Sequence, residues 1–244
     1  MIFPPPMEKG DTVLLVSPSS PLTEKQPIED VARAVEDLGY RVRIGASCRE
    51  KTACGYAAAS PETRARDINE GFADPDIKGI WCTRGGSTAA RMLPLLDYPL
   101  IRTNPKPFLG FSDVTSLHMA LQQRCGLVTY HGPTANRLLQ SEPHDFTWQS
   151  LFAALHMGEC LRIQNPPQEP ILPLRPGIAC GELIGGNLSL VTASLATPWE
   201  IDTTGRVLFL EDVGEAVYAL ERMLTQLRYA GILDRAAAVV LGPF

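Results

Sequence analysis

Residues 107–125, PFLGFSDVTSLHMALQQRC, pass from an apolar segment of strand length into a helical pattern with no linker between them. Pro107–Phe111 reads as a strand, Asp113–Cys125 reads as a helix, and Gly126 stops it. The same join recurs upstream, where the strand candidate Ile77–Thr83 (IKGIWCT) meets Arg84-Gly85-Gly86-Ser87 and then a helix through Leu96. Further upstream, Thr12–Ser17 (TVLLVS) is an apolar run of strand length that ends in the polar corner Ser17–Ser20. Ile28, Val31, Ala32, Val35 and Leu38 then recur at helical spacing, and Gly39 closes that helix. Arg41–Ile44 is a short strand, Ser60-Pro61 opens a second helix, and Asp74-Pro75 ends it. Leu127–His131 is a fifth strand. This alternation predicts an α/β unit, a parallel sheet with helices on both faces. Ligands of such sheets sit at the carboxyl ends of the strands. Three corners fall there: Ser17–Ser20, Arg84–Ser87 and Gly110–Asp113.

The texture changes after Leu139. A helix around Phe146–Met157 precedes a cluster of prolines at 166, 167, 170, 173 and 176. The sequence therefore divides into an N-terminal α/β domain (1–140), a proline-rich crossover (141–177) and a C-terminal domain (178–244). In the last of these, Gly185-Gly186-Asn187 leads into an apolar helix to about Leu195. A strand at Arg206–Leu210, a helix at Glu215–Ala230 and a strand-like run at Ala236–Leu241 follow. Phe244 falls where a strand-to-helix loop would begin, so the C-terminal domain is expected to be truncated.

The composition excludes several classes of function. Lys and Arg total 22 against 27 Asp and Glu, a net charge of −5, and no basic stretch offsets it. Nucleic acid and membrane are therefore not expected as partners. No apolar run reaches the roughly 20 residues that cross a bilayer. Pro4, Pro5 and Pro6 occupy the place of a secretory apolar core, which predicts a cytoplasmic protein. None of the six cysteines forms a CxxC pair, and no cluster of His, Asp and Glu has metal-ligand spacing, so no metal is expected. Cys82 and Cys125 read as buried thiols. Glycine-rich nucleotide fingerprints are missing, so no cofactor is expected.

Ser112 sits where a strand turns straight into a helix. That corner exposes its hydroxyl and aims backbone N–H groups at it, in the manner of a nucleophile elbow, although Val114 stands where the second glycine of G-x-S-x-G would be. The alternative is that Ser112 or Asp113 only caps the helix. Gly85 and Gly86 form a corner whose N–H groups either hold an oxyanion or carboxylate or simply make a tight turn. Glu211-Asp212 ends an apolar run, as an acidic pair that orients a histidine, as a general base, or as a solvated cluster with Glu215. His118 lies on the helix that the serine opens and reads as a packed histidine. His131 ends a strand and either lines the cleft or serves the turn, while His144 and His156 read as surface residues.

Taken in order, VLLVSPSSPL, GIWCTRGGSTAARMLPLLD, PFLGFSDVTSLHMAL, YHGP, GELIGGNLSLVTASLATPWEID and VLFLEDVGEAVYALERMLTQLRYAGILD…VVLGPF are similar to the LD-carboxypeptidase family of serine peptidases, which includes the microcin C self-immunity hydrolases. The resemblance implies a metal-free, cytoplasmic, usually homodimeric hydrolase. It implies an N-terminal α/β domain and a β-rich α+β C-terminal domain with a cleft between them. It implies a Ser-His-Glu triad in which Ser112 is the nucleophile and Glu211 the carboxylate, with Gly85, Gly86 and Asp113 forming the oxyanion and substrate-binding corner. The implied substrate is a muropeptide tetrapeptide of peptidoglycan recycling, cut before its terminal D-alanine. The family histidine belongs to a Gly-His motif downstream of the last matched segment, and none of the four histidines here takes its place. The 244 residues alone are therefore expected to be weakly active or inactive. Two alternatives stand: a microcin-immunity-type hydrolase of adenylates, with Trp81 and Trp199 as candidate stacking walls that packing explains equally well, and a non-catalytic muropeptide-binding remnant. Ala196-Thr197-Pro198 replaces the frequent Gly-Thr-Pro, with little consequence expected.

Overall fold

A computed structural model describes residues 1–140, 145–157, 165–166 and 169–244. His144, Cys160, Pro167 and much of the expected crossover lie outside the described residues. The N-terminal unit begins β1 (Thr12–Val16), α1 (Ile28–Asp37), β2 (Arg41–Ile44), α2 (Pro61–Ala73) and β3 (Ile77–Cys82). It continues α3 (Tyr98–Thr103), β4 (Phe108–Gly110), α4 (Thr115–Cys125), β5 (Tyr130–His131) and α5 (Asp145–Met157). The five strands are parallel in the order β2-β1-β3-β4-β5. This is the doubly wound arrangement that alternating strands and helices predict.

The two faces of the sheet carry separate cores. Leu14, Val16, Ile80 and Phe108 face α2, α3 and α4, packing on Ile68, Phe72, Ile101 and Leu117. Val13, Leu15, Trp81 and Leu109 face α1 and α5, packing on Val31, Val35, Leu151 and Leu155. The strands are therefore apolar on both sides, as parallel strands require.

The C-terminal unit contains β6 (Leu183–Asn187), α6 (Leu188–Ala193), β7 (Val207–Glu211), α7 (Val217–Tyr229), α8 (Ile232–Arg235) and β8 (Ala238–Leu241). Its three strands pair in the order β6-β7-β8 and are all parallel. α4 joins the two units. Every residue from Thr115 to Leu121 is buried, with Leu117, Ala120 and Leu121 in one core and Met119 in the C-terminal core beside Ile184, Leu188 and Leu208. Gln122 donates to the Leu183 carbonyl at 2.8 Å and the Trp199 indole N–H donates to the Tyr98 hydroxyl at 3.0 Å, fastening the seam.

Four local expectations change. The helix expected after Arg84–Ser87 is a 3₁₀ helix at Ala89–Leu95 with Pro94 inside it, because proline removes an α-helical donor. Asp113–Cys125 opens with a 3₁₀ turn, Ser112–Val114, before α4 begins. Gly185-Gly186-Asn187 belongs to strand β6, where φ is 126° at Gly185 and a Cβ there would stand 2.0 Å from the Phe209 carbonyl oxygen. Ala196 has φ 58°, so the missing glycine does have a consequence: a side chain is held in the left-handed region.

Gly185→Ala is expected to cost about 3 kcal/mol, read as a lower urea midpoint, while Gly177→Ala, in open space, leaves the midpoint in place. Ala196→Gly is expected to stabilise by about 1 kcal/mol in the same measurement.

Candidate active site

Ser112 follows β4 and precedes α4, and its φ is 64°. A non-glycine residue in that region is held there by its surroundings. The surroundings are close. Gly85 abuts it, since a Cβ on Gly85 would lie 3.0 Å from the Ser112 Cβ and 3.2 Å from Oγ. Gly110 leaves room for Val114, which a Cβ would approach to 2.5 Å. Gly86 has φ 154°, and a Cβ there would fall 2.4 Å from Ser19 Oγ. Among the described residues the Gly86 N–H donates to no protein group, so it is available to a ligand.

The corner is braced by Asp113, which is 1% exposed. Ser19 Oγ donates to its Oδ2 at 2.5 Å and the Ala89 N–H donates to the same oxygen at 2.8 Å. The Thr88 N–H donates to Ser19 Oγ at 3.1 Å. Buried Arg64 lies behind this chain, donating to the Pro18 carbonyl at 2.6 Å, to the Thr88 carbonyl at 3.1 Å and to Thr88 Oγ1 at 2.9 Å. Burial lowers the Arg64 pKa, and the Asp113 charge opposes that shift. The loops after β1, β3 and β4 therefore meet at one carboxylate. Its side chain is structural, which leaves the N–H of Asp113 as the group the resemblance assigned to the oxyanion corner.

Glu211 ends β7 in register with Asn187 at the end of β6, and it is 3% exposed. Its neighbour Asp212 is saturated. Asn187 Nδ2 and the Val213 N–H donate to Asp212 Oδ1 at 2.8 and 2.9 Å, and the Ser189 N–H and Oγ donate to Oδ2 at 3.0 and 2.8 Å. Glu211 Oε1 has no such partner. His131 Nε2 lies 3.6 Å from it, and both nitrogens of that ring are also unpartnered. Burial, and then the Asp212 charge, push the Glu211 carboxyl up to about 7, against a hydrogen bond from the Asn187 side chain that lowers it. Burial pushes His131 down to about 4. The acidic pair thus divides its roles, with Asp212 fixing the strand ends and Glu211 free to accept. Unpaired buried polar atoms of this kind call for a catalytic or ligand-binding explanation.

The two cleft walls meet at Gly186, where a Cβ would lie 2.7 Å from Thr115 Oγ1 and 3.2 Å from His131 Nδ1. The Asn187 N–H donates to Thr115 Oγ1 at 3.0 Å. His118 is the packed histidine that its position predicts: Nε2 donates to the Gly110 carbonyl at 3.0 Å, and Nδ1 lies 2.8 Å from Thr129 Oγ1. His156 is exposed and lies 2.8 Å from the Tyr40 hydroxyl. Cys82 and Cys125 are buried. Of the two readings open for the tryptophans, the structure supports packing. Trp81 is 2% exposed, packs in the core and donates to the Pro133 carbonyl, and Trp199 packs on the first core with its N–H on Tyr98. Neither is a free stacking wall. His131 beside Glu211 was the open alternative for that residue, and the contact spans 80 positions of chain, beyond any local pattern.

Comparison with known proteins gives the family of the chain. The LD-carboxypeptidase N-terminal domain matches residues 13–132, and the LD-carboxypeptidase C-terminal domain matches residues 180–244. A probable murein peptide carboxypeptidase of Bacillus subtilis is 38% identical over 242 residues, 99% of this chain and 74% of the relative. A muramoyltetrapeptide carboxypeptidase from Oxalobacter formigenes superposes with a TM-score of 0.80 at 28% identity, covering 96% of this chain and 77% of that one. The microcin C7 self-immunity protein MccF of Escherichia coli is 28% identical over 97% of this chain and 76% of its own length. A structure of a protein of that name in complex with aspartyl sulfamoyl adenosine superposes with a TM-score of 0.86 at 26% identity, covering 99% and 80% of the two chains.

The raised Glu211 value fixes the sign of a pH effect. A carboxyl that ionises less readily when folded favours the fold while protonated. That contribution is full below about 4.5 and is lost as pH rises through about 7. The parent chain is therefore expected to lose stability relative to Glu211→Gln across this window and to run parallel to it above. Urea titrations of both proteins at stepped pH measure the difference.

Proposed function

Because the chain belongs to the LD-carboxypeptidase family, we propose that it is a serine-type hydrolase that removes the terminal D-alanine from muropeptide tetrapeptides, working as a cytoplasmic homodimer in peptidoglycan recycling. The observation that carries this reading is the left-handed Ser112, at φ 64°, on a strand-to-helix corner. A backbone strained at one polar residue and braced on every side is the signature of a presented nucleophile.

In this mechanism Ser112 Oγ attacks the carbonyl carbon before D-alanine while an imidazole takes its proton. Glu211 holds that imidazole in the productive tautomer and stabilises it once charged. The N–H groups of Gly86 and Asp113 receive the oxyanion. The tetrahedral centre collapses as the imidazole returns the proton to the leaving nitrogen, D-alanine departs, and Ser112 is left as an ester. Water, deprotonated by the same imidazole, hydrolyses the ester and restores the hydroxyl. The unpartnered Glu211 Oε1 supports this reading, since an acceptor without a donor suits an incoming imidazole. That imidazole is expected from the Gly-His motif of the family rather than from the four histidines of these 244 residues, so a chain extended through that motif is the active form.

The adenylate alternative rests on the MccF likeness, and the burial of Trp81 and the packing of half-buried Trp199 against the first core weigh against it. Purified extended protein offered a muropeptide tetrapeptide and a peptidyl adenylate together is expected to consume the tetrapeptide, with free D-alanine read by mass spectrometry. Preferred consumption of the adenylate rejects the assignment. Ser112→Ala and Glu211→Gln are each expected to lower kcat by about 10⁴–10⁶. A fluorophosphonate is expected to label Ser112 and to fail on Ser112→Ala.

A further inference from the structure

Three of the four unpartnered buried side-chain atoms among the described residues belong to one contact, His131 Nδ1, His131 Nε2 and Glu211 Oε1. They do not result from loose packing. The imidazole is clamped edge-on between Phe111, at a ring distance of 5.2 Å, and Phe209, at 5.5 Å. It comes from β5, in register with Gly110 on β4, two residues before Ser112. Glu211 comes from β7 of the other unit. A polar ring held by two phenyl rings with an unused nitrogen 3.6 Å from an unused carboxyl oxygen is a hydrogen bond waiting for a small movement.

We infer that His131 is a positioning residue for Glu211, its neutral Nε2–H closing onto Oε1 when the carboxyl ionises and holding that oxygen at the mouth of the cleft. Among the groups facing the pair, His131 is the one whose ring nitrogens are both unused. Asp212, next in the chain, repels a charge on Glu211 and has both oxygens occupied. Asn187 gives one side-chain N–H to Asp212, and its amide also hydrogen-bonds the Glu211 carboxyl and works against the rise that burial causes. Thr115 Oγ1 accepts from the Asn187 N–H. His118, with its ring 5.9 Å away, has both nitrogens engaged. With Nε2 carrying the proton, Nδ1 is the bare nitrogen and looks onto the space that Gly186 leaves open. The catalytic consequence rests on Glu211 being the triad carboxylate; the hydrogen bond itself does not.

The test therefore reads the carboxyl rather than turnover. The Glu211 ¹³C carboxyl resonance, assigned by its loss in Glu211→Gln, is followed against pH in the 244-residue chain. His131→Phe is expected to raise the midpoint by about one to two pH units, the worth of one hydrogen bond to a charged group. His131→Gln, which keeps an N–H donor, is expected to bring it back. An unchanged or lower midpoint in His131→Phe, or a midpoint in His131→Gln as high as in His131→Phe, overturns the assignment. The parent protein supplies a check that needs no folded variant: the ¹⁵N shifts of His131 must show the proton on Nε2, moving at the Glu211 midpoint. A proton on Nδ1 throughout also overturns it. Failure of the hydrolase reading would leave these titrations untouched.

Discussion

Asp113 is a charge taken out of water at the point where three strand-end loops converge, and the site depends on how that charge is satisfied. Burying an unpaired carboxylate is costly. Ser19 comes from the loop after β1 and Ala89 from the loop after β3, and both donate to one Asp113 oxygen. Arg64 adds a buried cation that fixes Pro18 and Thr88 in the same layer. With the loops tied in this way, the residue before Asp113 is forced into a conformation that L-amino acids avoid. Ser112 is therefore presented by its neighbours and not by its own preference.

The opposite wall is built on a contrast between two adjacent acids. Asp212 receives four donors and behaves as mortar between β6 and β7. Glu211, one residue earlier on the alternating strand, points the other way and is left with an unfilled oxygen. Period-two alternation of side chains accounts for the difference. Polar dissatisfaction is concentrated where chemistry is expected and is scarce elsewhere among the described residues.

The sequence made much of this visible. β2 and α2 match their expected starts because Arg41–Ile44 and Ser60-Pro61 carry strong local signals, and Ser60 does accept from the Thr63 N–H. Ser112, Gly86 and Glu211 were legible as corners because each sits where an apolar run stops. What escaped was non-local. Strand β6 hides in Leu183–Asn187 because its two glycines look like a turn, and only the approach of Phe209 shows why a strand needs them. Packing was one of two open readings for Trp81, and the replaced glycine at Ala196 was the one hint of its positive φ. The pairing of His131 with Glu211 depends on two sheets meeting, which no spacing within one segment encodes.

α4 is shared by both hydrophobic cores, with Leu117 and Met119 committed to opposite sides. Two bodies that own the same helix cannot swing apart without exposing apolar side chains of both. The turn that carries Ser112 opens that same helix, so the corner is anchored to both cores at once.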